Sequence, residues 1–139
     1  MKKTFYILGI LLLFTSCRTN YNKKEVMTNM IKVVINNSEY NLILENNETA
    51  NKFLELLPKE FNMTELNGNE KYVYLDKSLP SDSVNPKEIV AGDVMLYGDD
   101  CLVIFYKTFK TSYAYTKIGH IDNMPNLNND NILVKFKVT

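Results

Sequence analysis

The sequence predicts a mainly β protein, on three observations. Short apolar or alternating runs recur along the chain, Asn, Gly, Asp and Pro clusters separate them, and one stretch carries helical periodicity. Neither a βα rhythm nor an internal repeat is present, which favours an antiparallel sandwich or closed barrel over a parallel sheet. The expected architecture is a small closed β-barrel of about eight strands with one or two short helices.

Taken in order, Ile31–Ile35 and Tyr40–Leu44 are β-rich runs around Asn36-Asn37-Ser38-Glu39, a set of turn formers that predicts a hairpin. Asn47 is placed to cap a helix with Glu48 in its first, electropositive turn. Ala50, Phe53, Leu54 and Leu57 then fall at i, i+3, i+4 and i+7, and Pro58 stops the helix because the residue before proline avoids the helical region. A helix of about ten residues is not stable alone. It must pack on a sheet or plug a barrel end.

A second hairpin follows, with Phe61–Leu66 and Glu70–Leu75 flanking Asn67-Gly68-Asn69. Tyr72 and Tyr74 share one face of its second strand, and Val73 and Leu75 share the other. From Asp76 to Glu88, Pro80 and Pro86 mark a long loop of the kind that often carries function. Val94–Tyr97 and Leu102–Tyr106 are strands around a Gly98-Asp99-Asp100 turn, the second apolar on both faces and therefore central. Lys107–Ser112 reads as a polar loop interrupted by Phe109. Tyr113 and Tyr115 alternate ahead of Ile118–Ile121, and Met124–Asn131 reads as polar with a single helical turn. In the last strand Ile132, Val134, Phe136 and Val138 alternate with Leu133, Lys135 and Lys137, and pairing with the first hairpin would close the barrel and remove exposed edges.

The N-terminus reads as an address. Lys2 and Lys3 precede an apolar run, Phe5–Phe14, too short for a span of about 20 residues. Leu13-Phe14-Thr15-Ser16-Cys17 resembles a bacterial lipobox, with Phe14 where the pattern prefers leucine. Residues 1–16 are thus expected to be a lipoprotein signal peptide, Cys17 the lipidated residue, 17–29 a polar tether and 30–139 the domain. The protein is expected to be exported and held at a membrane of the bacterial cell envelope by its acyl chains. Cys101 is left as a buried free thiol.

Charge and composition exclude further classes. Removing residues 1–16 leaves fourteen basic against sixteen acidic residues, and no basic run remains to bind nucleic acid. One histidine and one remaining cysteine make no zinc spacing, so neither metal nor cofactor is expected.

Aromatic density marks the candidate site. Tyr72, Tyr74, Tyr97, Tyr106, Tyr113 and Tyr115, with Phe105 and Phe109, can line one groove, since tyrosine combines apolar area with a hydroxyl. The alternative places half of them in the barrel core. The ligand-binding set selected is Tyr72, Tyr74, Tyr97, Phe109, Ser112, Tyr113 and Tyr115, for a peptide or small ligand. Asp93, Asp99 and Asp100 read as turn residues rather than cation ligands. Ser112, His120 and Asp122 are the one conceivable nucleophilic set, without a Gly-x-Ser-x-Gly signature, and no catalytic residue is assigned.

Ala91–Gly98, Leu102–Lys107 and Tyr113–Ile121 form a pattern close to AGD-x-MLYG followed by FYK-x-F-x-TSY-x-YT-x-IG-x-I. With Phe53–Pro58, Leu66–Tyr72 and Ser78–Pro80 upstream, the chain from about Met30 to its end resembles the bacterial cyclophilin-like fold proteins. That resemblance implies a small closed β-barrel related to the peptidyl-prolyl isomerases, whose groove flanks a catalytic arginine. Ile118–Ile121 is similar to their Gly-Lys-Val strand end. Arg18 is the single arginine and precedes the domain, so the isomerase cation has no counterpart here. A binding module without catalysis is the expectation, with residual isomerase activity or a structural envelope role as alternatives.

Overall fold

Two consecutive asparagines set the first turn. Asn36 and Asn37 take φ of 49° and 64°, the left-handed region that asparagine tolerates better than most residues. They join β1 (Met30–Ile35) to β2 (Ser38–Leu44), so Ser38 and Glu39 belong to the strand rather than to the turn. The second hairpin turns at Asn67 and Gly68, with φ of 57° and 67°, between β3 (Lys59–Leu66) and β4 (Glu70–Tyr74). The computed structural model describes residues 29–139. The signal segment, Cys17 and residues 17–28 of the tether lie outside them.

The remaining strands are β5 (Glu88–Ile89), β6 (Asp93–Tyr97), β7 (Cys101–Phe105), β8 (Phe109–Lys110), β9 (Thr116–Ile121) and β10 (Ile132–Lys137). Eight of them close an antiparallel barrel in the order β1-β10-β3-β4-β7-β6-β9-β2. The terminal strand seals against the first, pairing Val33 with Phe136 and Ile35 with Val134. β7 is buried on both faces, as its unbroken apolar run requires.

The interior is filled by alternate residues of each strand, including Val33, Leu42, Met63, Leu96, Ile104, Ile118 and Phe136. Where β2 meets β9, a Cβ on Gly119 would collide with the Ile43 carbonyl, so only glycine permits that approach.

The two barrel ends are closed differently. At one end α1 (Glu48–Leu54) inserts Phe53 into the core, its ring edge-on to Phe136 at 5.2 Å between centroids. Burying such a ring contributes roughly 1.5–3 kcal/mol. Asn47 caps the helix by accepting from the Ala50 N–H at 2.8 Å, and its amide donates to the Lys117 carbonyl at 2.8 Å. The helix ends at Leu54, ahead of Pro58, because Leu56 and Leu57 turn back to bond Phe53 and Leu54 carbonyls.

The other end is closed by polar chemistry. Lys71 is fully buried, its ammonium bonding Glu65 at 2.5 Å and the carbonyls of Asn128 and Asp130 at 2.6 Å each. Three donors thus meet three acceptors, which a buried ammonium needs. The Tyr106 hydroxyl donates to Glu65 at 2.8 Å, and its ring lies 4.9 Å from the ammonium. This arrangement corrects two expectations. The helical turn over Met124–Asn131 does not form, since two of its carbonyls point at Lys71 instead of along a helix axis. Tyr106, grouped above with the groove tyrosines, faces this interior network.

Candidate functional site

Strand alternation places Glu70, Tyr72 and Tyr74 on the outer face of β4, while Lys71 and Val73 point inward. Their partners on β7 are Phe105, Val103 and Cys101, respectively, and Tyr97 pairs with Cys101 on the far side. Of these, Cys101, Val103 and Phe105 form a second apolar cluster with Ile89, Met95 and Tyr115, and Tyr72 and Phe109 pack against it. The two-stranded sheet of β5 and β8 and the segment after it cover that cluster. The loop reading of Lys107–Ser112 is corrected here: Phe109 and Lys110 pair with Ile89 and Glu88. Farther along, Val84 bridges Tyr115.

Between this cover and β4 runs a groove of about 490 Å³, within the range of small-molecule and peptide sites. All seven residues selected from the sequence line it: Tyr72, Tyr74, Tyr97, Phe109, Ser112, Tyr113 and Tyr115. Cys101 and Val103 lie at its base. The rings contact one another in series. Tyr97 lies 6.2 Å from Tyr113 and 5.7 Å from Tyr115, and Phe105 lies 5.4 Å from Tyr115 and 5.6 Å from Phe109. Phe105 is fully buried behind the base rather than on the lining. Tyr74 and Tyr113 are 66% and 62% exposed, so the groove's aromatic end opens to solvent.

The opposite end is polar and comes from the turn between β3 and β4. Leu66, Asn67, Asn69 and Glu70 line it. Burial pushes the Glu70 carboxyl above the ordinary value, and the neighbouring Glu65 charge adds to the rise. Sequence reading passed over Glu70 and Asn69 because they read as turn and strand-start residues. The available signal was parity, since Glu70 shares the face of Tyr72 and Tyr74.

The groove's thiol and its buried tyrosine hydroxyl are poor nucleophiles. Burial, with the Asp100 and Glu70 charges, pushes the Cys101 thiol up to about 11, so it stays protonated near neutral pH. Burial likewise raises Tyr115. Ser112 has no histidine beside it: His120 Nδ1 bonds Asp93 Oδ1 at 2.9 Å, not Asp122. Asp93 also accepts from the Val90 N–H at 2.9 Å, serving its turn. Among the described residues no group of three His, Cys, Asp or Glu side chains is placed to hold a metal ion.

A closed eight-stranded barrel with one short helix and an outer-wall groove defines a class of small β-barrel proteins. The chain belongs to the cyclophilin-like family, whose model matches residues 33–138. A hypothetical protein from Archaeoglobus fulgidus, known from a solution structure, has the same fold. It is 20% identical, with a TM-score of 0.53 over 79% of this chain and 94% of its own. None of the curated proteins matches the chain.

Proposed function

We propose that this protein is a lipid-anchored cyclophilin-like module of the bacterial cell envelope that binds a peptide or small ligand in its aromatic groove, without catalysing a reaction on it. One observation carries the reading. Residues from β4, β6, β8 and the segment 111–115, distant in sequence, bring aromatic rings and hydroxyls onto a single concave surface. Tyrosine-lined grooves of this size suit flat or extended ligands.

The absence of catalysis rests on the lining's chemistry. Among the described residues Lys110 is its one cation and no arginine lies along it, and its thiol is held protonated. The anchor rests on the lipobox at Leu13–Cys17. Mass spectrometry of the mature N-terminus tests it, a diacylated or triacylated Cys17 being the expected species and an intact residue 1–16 segment the contradicting one.

For the groove, the test is a Phe109→Ala, Tyr113→Ala double variant, checked for fold by its NMR spectrum. Ligands retained by wild-type protein from envelope extract should be lost from the variant. Undiminished retention by a folded variant refutes the groove.

A further inference from the structure

The polar end of the groove has an excess of acceptors. Glu70 forms no ion pair and no side-chain hydrogen bond among the described residues, though its carboxyl is half-buried. Beside it, Asn69 buries its side-chain oxygen without a donor. A buried polar atom without a partner is costly, and a half-buried carboxylate is only partly compensated by water. A half-buried carboxylate with no partner at a groove's edge is a ready counter-charge for a ligand cation. Lys110, the one cation of the lining among the described residues, is exposed on β8 and makes no ion pair with Glu70.

Resting on the binding role argued above, we infer that the groove's ligand is an extended peptide segment carrying a lysine or arginine side chain. Its cationic group reaches the Glu70 carboxylate, and its flanking residues lie along the tyrosines. Charge complementarity supplies the first half of this assignment. An ammonium or guanidinium brings several donors to the Glu70 carboxylate and cancels a half-buried negative charge. The walls supply the second. Tyrosine faces attract cations and accept the aliphatic stem of a basic side chain.

Length argues for a peptide rather than a free amine. Glu70, Tyr72 and Tyr74 stand two residues apart on one strand face, a line of about 13 Å at ~3.3 Å per residue. An extended peptide has the same spacing, so a basic residue opposite Glu70 sets residues two and four positions away against Tyr72 and Tyr74.

The test is calorimetric titration of the domain with acetyl-Lys-Ala-Phe-Ala-amide and its reversed sequence. Norleucine and glutamate replace lysine in matched peptides, and 1,5-diaminopentane serves as the free amine. The lysine peptide, in one chain direction, should bind at least tenfold more tightly than its norleucine counterpart, with glutamate weakest. E70Q should erase that tenfold preference by weakening the lysine peptide, and 0.5 M salt should shrink it. Equal binding of lysine and norleucine peptides overturns the inference but leaves the groove standing. Tight binding of the diamine with none of either peptide also overturns it, in favour of a free-amine site. Binding of none overturns it and removes support for the groove as well. The E70Q variant is nearly isosteric, and a native-like NMR spectrum separates lost recognition from lost fold.

Discussion

Glu70 and Lys71 are neighbours on β4, yet they face opposite sides of the barrel wall and live under opposite rules. Lys71 points inward, and each of its three donors meets an acceptor within 2.6 Å. Glu70 points outward into a groove and its carboxylate has no partner among the described residues. One residue along the strand separates a saturated polar network from an unsaturated one. Satisfied buried groups hold a fold together, whereas unsatisfied ones mark where stability has been given up for something else. By that criterion the Lys71 end is structural, and the Glu70 end is where we propose that function resides.

The sharpest way to break the comparison is to remove Lys71. A Lys71→Met variant leaves Glu65 and two carbonyls without their donor, and breaking a buried ion pair in this way costs about 3–5 kcal/mol. Urea unfolding should register that loss, and a loss under 1 kcal/mol would show that water replaces the ammonium. Tyr106→Phe should cost less, about 1.5–3 kcal/mol, since it deletes one hydrogen bond to the Glu65 carboxylate.

Acid should reach the two sides with opposite sign. Burial alone would raise the Glu65 carboxyl, but bonds from Lys71, Tyr106 and the Gly68 N–H outweigh it and hold the group below its ordinary value of 4.5. Its ionised form therefore stabilises the fold above that value, and the contribution is lost as pH falls through the depressed one. Glu70 is raised instead, so its ionisation opposes folding as pH climbs past the ordinary value. Unfolding measured from pH 3 to pH 7 should show a flatter acid limb for Glu65→Gln than for wild type. The smallest effect belongs to Tyr113→Ala, which should change stability by about 0.5 kcal/mol or less, as exposed positions do, while weakening ligand binding. A large loss of stability there would make the aromatic end structural.

Much of this was legible in the chain, and parity explains both what was and what was not. Alternation in Ile132–Val138 and the asparagine turns led directly to closure of the barrel. Tyr72 and Tyr74 were assigned to one face, and that face proved to be the groove. The same rule, carried one residue further, sets Lys71 with Val73 and Glu65 with Met63, on the inside. A lysine on an apolar face reads as an exposed edge residue until its partners are known, and those partners come from β3, from Tyr106 just after β7 and from the 122–131 connection. Tyr106 was misplaced for the same reason, since it continues the Leu102 and Ile104 face. The two-residue pairing of β5 and β8 is too short to leave any periodic trace.

The central claim is that one wall of β4 serves stability and the other serves recognition. It is tested most directly by measuring unfolding free energy and basic-peptide affinity on the same Glu70→Gln protein. The account predicts stability at neutral pH equal to or above wild type, because a half-buried unpaired charge is gone, together with loss of the preference for lysine over norleucine. Reduced stability with that preference intact would contradict it.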